Sequence, residues 1–308
     1  MKFKRGELTT QQIITLIILL VSFAVILFLL FRLNLGGESN KEICHNSVVL
    51  KANPALPADS VTLDCDRTYI CVTEDGSCEG MYNPIVEKVK TLDEVYEVLA
   101  NEMSDCWWMF GEGKVKYISD TVLERNYCSI CSQILFDDSL NNIEGIEDSI
   151  DKNELYEYLA NNEVKEGTTY SEYFFGTNDV ESLKQSIIDE GASTDLSFGE
   201  IVVGEQYYVV MGIISQIGNT YKWIAAGVGV LALPVILSGS FVYGAVIAAG
   251  AGVAGTVGDD IAGLVKPEIL ALIVAGDGIE NEFMAPTIIE TNPEKFSRIN
   301  CHEILTYT

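Results

Sequence analysis

The sequence predicts an α+β extracellular domain braced by disulfides, with an N-terminal transmembrane helix before it and a C-terminal glycine-rich helical hairpin after it. Three observations predict this. An uncharged run of 19 residues lies near the N-terminus, an acidic middle holds seven of the eight cysteines, and a second run of 36 residues carries no charge. The expected organisation is an anchor over residues 1–36, an acidic α+β domain over 37–222, an apolar transmembrane or hairpin segment over 223–258, and a tail over 259–308.

The anchor is read from residues 13–31, where only Thr15 and Ser22 are polar. At about 1.5 Å per residue a helix of this length nearly spans a hydrocarbon core of about 30 Å. Lys2, Lys4 and Arg5 precede the run, and Arg32 is the only basic residue close behind it. The excess of positive charge keeps the N-terminus in the cytoplasm and places the next domain outside. A cleaved secretory peptide would have a shorter apolar region, about 7–15 residues, closed by a small-x-small site. Residues 33–37 form a poor site of that kind, so a retained anchor is expected. Lys4-Arg5-Gly6 ahead of Glu7 resembles the type IV pilin-like (class III) signal of archaea. That resemblance implies cleavage after Gly6 and a helix that bundles with its neighbours. Gln11 departs from it, standing where the family has glutamate.

The middle domain carries the charge. The whole chain has a formal net charge of −26, and residues 37–222 hold 35 acidic against 12 basic residues, a net of −23. Such a surface repels a phosphate backbone and argues against a nucleic-acid partner. It keeps the domain soluble and favours basic partners.

Within it, residues 43–50 and 68–72 read as short strands separated by a proline-rich loop over 53–60. Thr91 and Glu94 form a capping box that opens a helix. Leu92, Val95, Leu99, Met103, Cys106 and Phe110 make its apolar face, and Gly111 and Gly113 end it. Residues 114–118 alternate like a strand, 127–136 read as a strand throughout, and 151–162 and 179–190 read as helices. Residues 200–215 are β-rich and aromatic, as a central strand or hairpin would be.

Cysteine arithmetic bears on the tail. Cys44, Cys65, Cys71, Cys78, Cys106, Cys128 and Cys131 lie in the middle domain, and Cys301 lies in the tail. In an extracellular domain these are disulfide candidates. Seven cannot pair completely and eight can, so parity predicts that Cys301 closes back on the middle domain. Eight cysteines allow 105 pairings, and spacing does not choose among them. Cys128-Ser-Ile-Cys131 also fits a redox pair or half of a zinc site, although a zinc site requires further close ligands. The two histidines, His45 and His302, each follow a cysteine directly.

The second apolar run is too long for one crossing. A straight helix of 36 residues would reach about 54 Å, whereas two legs turning at residues 237–240 would reach about 27 Å each. Ser240, Gly244, Ala248, Gly252 and Thr256 would give the second leg a small-residue face for close helix packing.

The segment Cys106-Trp107-Trp108-Met109-Phe110-Gly111-Glu112-Gly113 is the most distinctive in the chain. Adjacent tryptophans on a helix cannot both face one core. One is expected inside, and the other against a membrane surface or a partner, which makes Trp107 and Trp108 interaction candidates. This block, together with the segments 5–12, 42–49 and 128–131, resembles a family of membrane-anchored surface proteins of small-genome archaea. The resemblance covers most of the chain, implies an envelope setting, and brings no activity or active-site residue with it.

No phosphate-binding loop, GxSxG or HExxH motif occurs. No catalytic residue, metal site or cofactor is expected. The expected partners are the membrane and a protein at the cell surface. The expected role is therefore a non-enzymatic cell-surface protein acting in recognition or assembly. The two alternatives are a pilin-like subunit processed after Gly6 and an extracytoplasmic thiol-disulfide oxidoreductase built on Cys128 and Cys131.

Overall fold

The computed structural model describes residues 14–23, 25, 35–57, 60–118, 125–181, 197–215, 230–237, 240–247, 271–275 and 282–307. The chain divides into two compact units, residues 1–42 and residues 43–308.

In the first unit, residues 14–23 are helical. Leu16, Ile18, Leu19, Leu20 and Phe23 there are all more than half exposed. The Ser22 hydroxyl donates back to the Ile18 carbonyl at 2.8 Å, which hides its one polar group. Among the described residues no helix is long and apolar enough to cross a membrane. Residues 13, 24 and 26–31 of the expected anchor lie outside the described residues.

Helix α1 spans Leu35–Lys51. It replaces the strand expected over residues 43–50. The β-branched pair Val48-Val49 suggested extension, but Cys44, Ser47 and Val48 recur at helical spacing and are all buried. A disulfide from Cys44 to Cys65 holds that face, and the Ser47 hydroxyl accepts from the Asp64 amide at 3.0 Å. Tertiary contacts outweigh local propensity here.

Strands β1 (Thr68–Thr73) and β2 (Ile85–Lys88) run parallel. Helix α2 (Leu92–Met109) then crosses over to β3 (Arg125–Phe136), which also runs parallel to β1. The expected cap is present at α2, where the Thr91 hydroxyl accepts from the Glu94 amide at 3.2 Å. The Glu94 carboxylate reaches past Thr91 to the Lys90 amide. Residues 114–118, expected as a strand, are irregular, because their alternation comes from Tyr117 turning into the core and not from pairing.

After β3 come β4 (Ser149–Asp151), α3 (Lys152–Asn161), β5 (Glu163–Lys165), β6 (Thr168–Thr169), α4 (Tyr170–Phe175) and β7 (Glu200–Val202). They form two small ribbons, β4 with β7 and β5 with β6. Of the helix expected over 179–190, residues 180–181 are helical and 182–190 lie outside the described residues.

Strand β8 (Gln206–Ser215) returns antiparallel to β3. Then follow β9 (Val230–Leu237), β10 (Ser240–Ile247), β11 (Ala271–Ala275), β12 (Glu282–Glu290), α5 (Pro293–Ser297) and β13 (Cys301–Ile304). The main sheet runs β2-β1-β3-β8-β12-β11-β10-β9, with β13 added to β3. The described residues of 259–308 therefore supply three strands, β11, β12 and β13, to the same sheet as the middle domain.

The helical hairpin expected over residues 223–258 is corrected by this topology. Residues 230–237 and 240–247 are antiparallel strands, paired from Val230–Ile247 to Leu237–Ser240. Val235, Ile236, Phe241, Val242 and Tyr243 favour extension. Pro234 would cost a helix interior about 3 kcal/mol, but it is tolerated on β9, the last described strand of the sheet. The rest of that segment lies outside the described residues.

Both faces of β3 are buried. The larger core holds Ile70, Leu99, Met103, Phe110, Ile134 and Phe283, and the smaller holds Ile130, Val210, Met284 and Ile299. A bulge between Ile130 and Ser132 inverts the alternation of β3. Before it, Cys128 and Ile130 face the smaller core, and after it Ile134 and Phe136 face the larger one.

One further feature lies beside β3. Strands β1 and β3 pair only from Thr68–Ser132 onward. Upstream they part, and residues 301–307 fill the gap, parallel to β3 on one side and to Asp66 on the other.

Candidate functional site

All eight cysteines are paired: Cys44–Cys65, Cys71–Cys78, Cys106–Cys131 and Cys128–Cys301. None is free. Cys301 closes back on the middle domain, as parity predicted. Cys128 and Cys131 lie on opposite sides of one strand: Cys131 reaches into the larger core to α2, and Cys128 into the smaller core to β13. A spacing of three on a strand separates two side chains, whereas on a helix it would bring them together. These two sulfurs therefore do not bond to each other.

The Cys106–Gly113 block sits where four elements meet. Cys106 is tied to β3. Trp107 is 3% exposed and meets Phe283 of β12 edge-on, with ring centroids 6.0 Å apart. Trp108 points to α1, where His45 stacks on it at 4.2 Å. The His45 Nδ1 donates to the Trp108 carbonyl at 2.7 Å, which fixes the tautomer in the neutral ring. The partner of Trp108 among the described residues is thus a histidine of the same chain, and its indole remains half-buried. His302 lies edge-on to Tyr127, 5.8 Å away.

Helix α2 ends in three successive left-handed residues, Gly111, Glu112 and Gly113, with φ of +80°, +56° and +70°. Only glycine fits the outer two without strain. A β-carbon at Gly111 would stand 2.1 Å from Val115 Cγ2, and one at Gly113 would stand 2.9 Å from the Trp107 ring. The middle residue has no such freedom, and a non-glycine in this region is uncommon.

The turn aims Glu112 at α4. The Tyr173 hydroxyl donates to one carboxylate oxygen at 2.6 Å, and Lys114 Nζ donates to the other at 2.7 Å. Burial pushes the Glu112 carboxyl up, but the bonds from Lys114 and Tyr173 outweigh it and hold the group below its ordinary value. Burial, then the bond to Glu112, push the Tyr173 hydroxyl up. Lys165 lies over the Tyr173 ring at 5.3 Å. The sequence left this cluster unmarked, and its one visible sign is a glutamate between two glycines.

Among the described residues no group of three or more His, Cys, Asp or Glu side chains is placed to hold a metal. A hollow is lined by Met103, Lys152, Thr287 and Tyr156, which stacks on Phe198 at 3.7 Å. Burial pushes the Tyr156 hydroxyl up to about 12. The block fixes α2 against the sheet and ties it to His45 and Tyr173. Compared with known proteins, the chain matches no family model, no curated protein and no solved structure.

Proposed function

We propose that the chain is a non-enzymatic protein of a cell envelope, anchored in the membrane by its N-terminal helix, with its disulfide-braced domain outside for recognition or assembly. One observation carries this reading: every cysteine of the chain is paired, including Cys301. Disulfides persist in oxidising compartments and are rare in the cytosol. The N-terminal helical stretch supports the anchor, because its described side chains are apolar except for Thr15 and Ser22 and all of them are exposed. Such a helix is stable in an apolar phase or a bundle, not alone in water. The net charge of −26 favours a basic protein partner over a nucleic acid.

The resemblance to archaeal surface proteins agrees with this setting. The same exposed apolar helix also serves the pilin-like reading, in which the chain is cut after Gly6 and the helix bundles with its copies.

Intact-mass spectrometry of the membrane-extracted chain, alkylated before and after reduction, tests the proposal. The expected result is no label before reduction, eight labels after it, and an unprocessed N-terminus. Labels before reduction, or recovery of the chain in the soluble cytosolic fraction, overturn it. A mature chain beginning at Glu7 moves the reading to the pilin-like subunit.

A further inference from the structure

The gap between residues 65–67 and 126–130 is a strand-shaped slot, and the way it is filled differs from the rest of the sheet. Its walls offer main-chain groups to whatever lies inside. The Leu305 amide donates to the Cys128 carbonyl at 2.8 Å, and the Ile130 amide donates to the Thr306 hydroxyl at 3.0 Å. On the other wall the Tyr307 amide donates to the Cys65 carbonyl at 2.9 Å, and the Arg67 amide donates to the Tyr307 carbonyl at 3.1 Å. An empty slot would leave these buried groups orphaned, so the slot demands a strand.

The occupant gives little in return. His302 and Glu303 are exposed, Ile304 is 43% exposed and Tyr307 is 56% exposed; Thr306 is buried. Main-chain bonds, the buried Thr306 hydroxyl, the partly buried Leu305 on the larger core and one disulfide hold it, and a second copy of the chain presents the same groups. The chain just before it is firmly placed. Ile299 is buried, its carbonyl accepts from Asn126 Nδ2 at 3.1 Å, and Phe296 meets Tyr208 edge-on at 5.5 Å. Between the two stretches stands Asn300, left-handed at φ +54°. It is a strained hinge, and extending it would carry residues 301–307 away from their own slot. Short strained hinges favour exchange of an element between copies.

We propose that this slot is an assembly site whose second occupant is the Cys301–Tyr307 strand of another copy of the chain. The proposal rests on the envelope reading above, because an anchor would hold copies side by side. The exchange conserves bonds. A low-molecular-weight thiolate attacks the Cys301 sulfur, which leaves Cys128 as a thiolate and Cys301 in a mixed disulfide. The Cys128 thiolate then attacks the mixed disulfide at Cys301 of the neighbouring copy and releases the small thiolate. When two copies do this reciprocally, two bonds within chains become two bonds between chains, with no net oxidation.

The test uses the full chain. Equimolar light and isotopically heavy copies are reconstituted together in phosphatidylcholine vesicles, treated with mixed reduced and oxidised glutathione, quenched by alkylation, digested and read by mass spectrometry. Mixed heavy–light Cys128–Cys301 peptides should rise from none to about half of all such pairs, the statistical limit for reciprocal exchange. Cys44–Cys65 and Cys71–Cys78 should stay unmixed. Equal mixing at all four bridges overturns the proposal, since that is general scrambling. Absence of mixed pairs also overturns it, whether the bond recloses within its own chain or never opens. If the membrane-extracted chain carries no free thiol yet yields no mixed pairs, the exchange alone fails and the envelope reading stands. Free thiols on extraction count against the envelope reading first.

Discussion

The two faces of β3 carry two disulfides under opposite conditions. On one face, Cys131 is bonded to Cys106, and that end of α2 is already sealed by Leu99, Met103, Trp107 and Phe110. On the other face, Cys128 is bonded to Cys301, at the head of a strand whose side chains mostly face solvent. The first bridge adds to packing that would hold the helix in place anyway. The second starts from the smaller core at Cys128 and ties to it a strand that buries few side chains of its own. One kind of bond therefore reinforces a well-packed helix in one place and holds a thinly packed strand in the other.

The sharpest way to break this contrast is to remove packing where it is thickest. Trp107→Ala should cost about 3–5 kcal/mol in urea unfolding, the range for deleting a buried aromatic. Trp108→Ala should cost less, about 1–2 kcal/mol, because its ring is half-buried and loses chiefly the stack on His45. Equal costs would mean that the two indoles are equally structural.

The bridges come next. Cys106→Ala with Cys131→Ala should lower global stability by about 2–5 kcal/mol. Cys128→Ser with Cys301→Ser should instead abolish hydrogen-exchange protection at residues 301–307 and at the amides of Arg67 and Ile130, with a smaller shift of the global midpoint. If the midpoint fell as far as in the first pair, the strand in the slot would be as integral as α2.

The smallest expected effect is electrostatic. The Glu112 carboxyl is held low in the folded state, so its contribution is present above its ordinary value of 4.5 and is lost as pH falls through the folded value. Melting temperature should therefore fall more steeply from pH 7 to pH 3 in the parent than in Glu112→Gln. Parallel curves would show that the bonds from Tyr173 and Lys114 do not couple to folding.

Much of the helix α2 region was legible in sequence, because its signals are local. Thr91 and Glu94 sit at capping distance, the apolar spacing is 3–4, and Gly111 and Gly113 stop the helix. Strand β3 and the pairing of Cys301 were legible for similar reasons, one from composition and one from parity. Other parts depend on residues far apart in the chain. Residues 43–50 look extended until Cys65 and Asp64 bind one face of them as a helix. Residues 230–247 look like membrane helices until their register with β11 is known. The slot was invisible, since its walls come from residues 65–67 and 126–130 and its filling from 301–307. The Glu112–Tyr173 contact escaped for the same reason, its partners standing 61 positions apart in the chain.

The order of the sulfurs along the chain has a consequence for how the molecule is made. Cysteines 106, 128, 131 and 301 belong alternately to two bonds, so the native bridges interleave. During synthesis at about 5–20 residues per second, Cys128 waits about ten to thirty seconds for its partner. Throughout that time Cys131 is its nearest thiol. The folding of β3 answers the hazard, because once extended it turns the two sulfurs to opposite sides. Maturation therefore depends on timing: the strand must form before the oxidant arrives, or an isomerase must later undo a bond closed too soon.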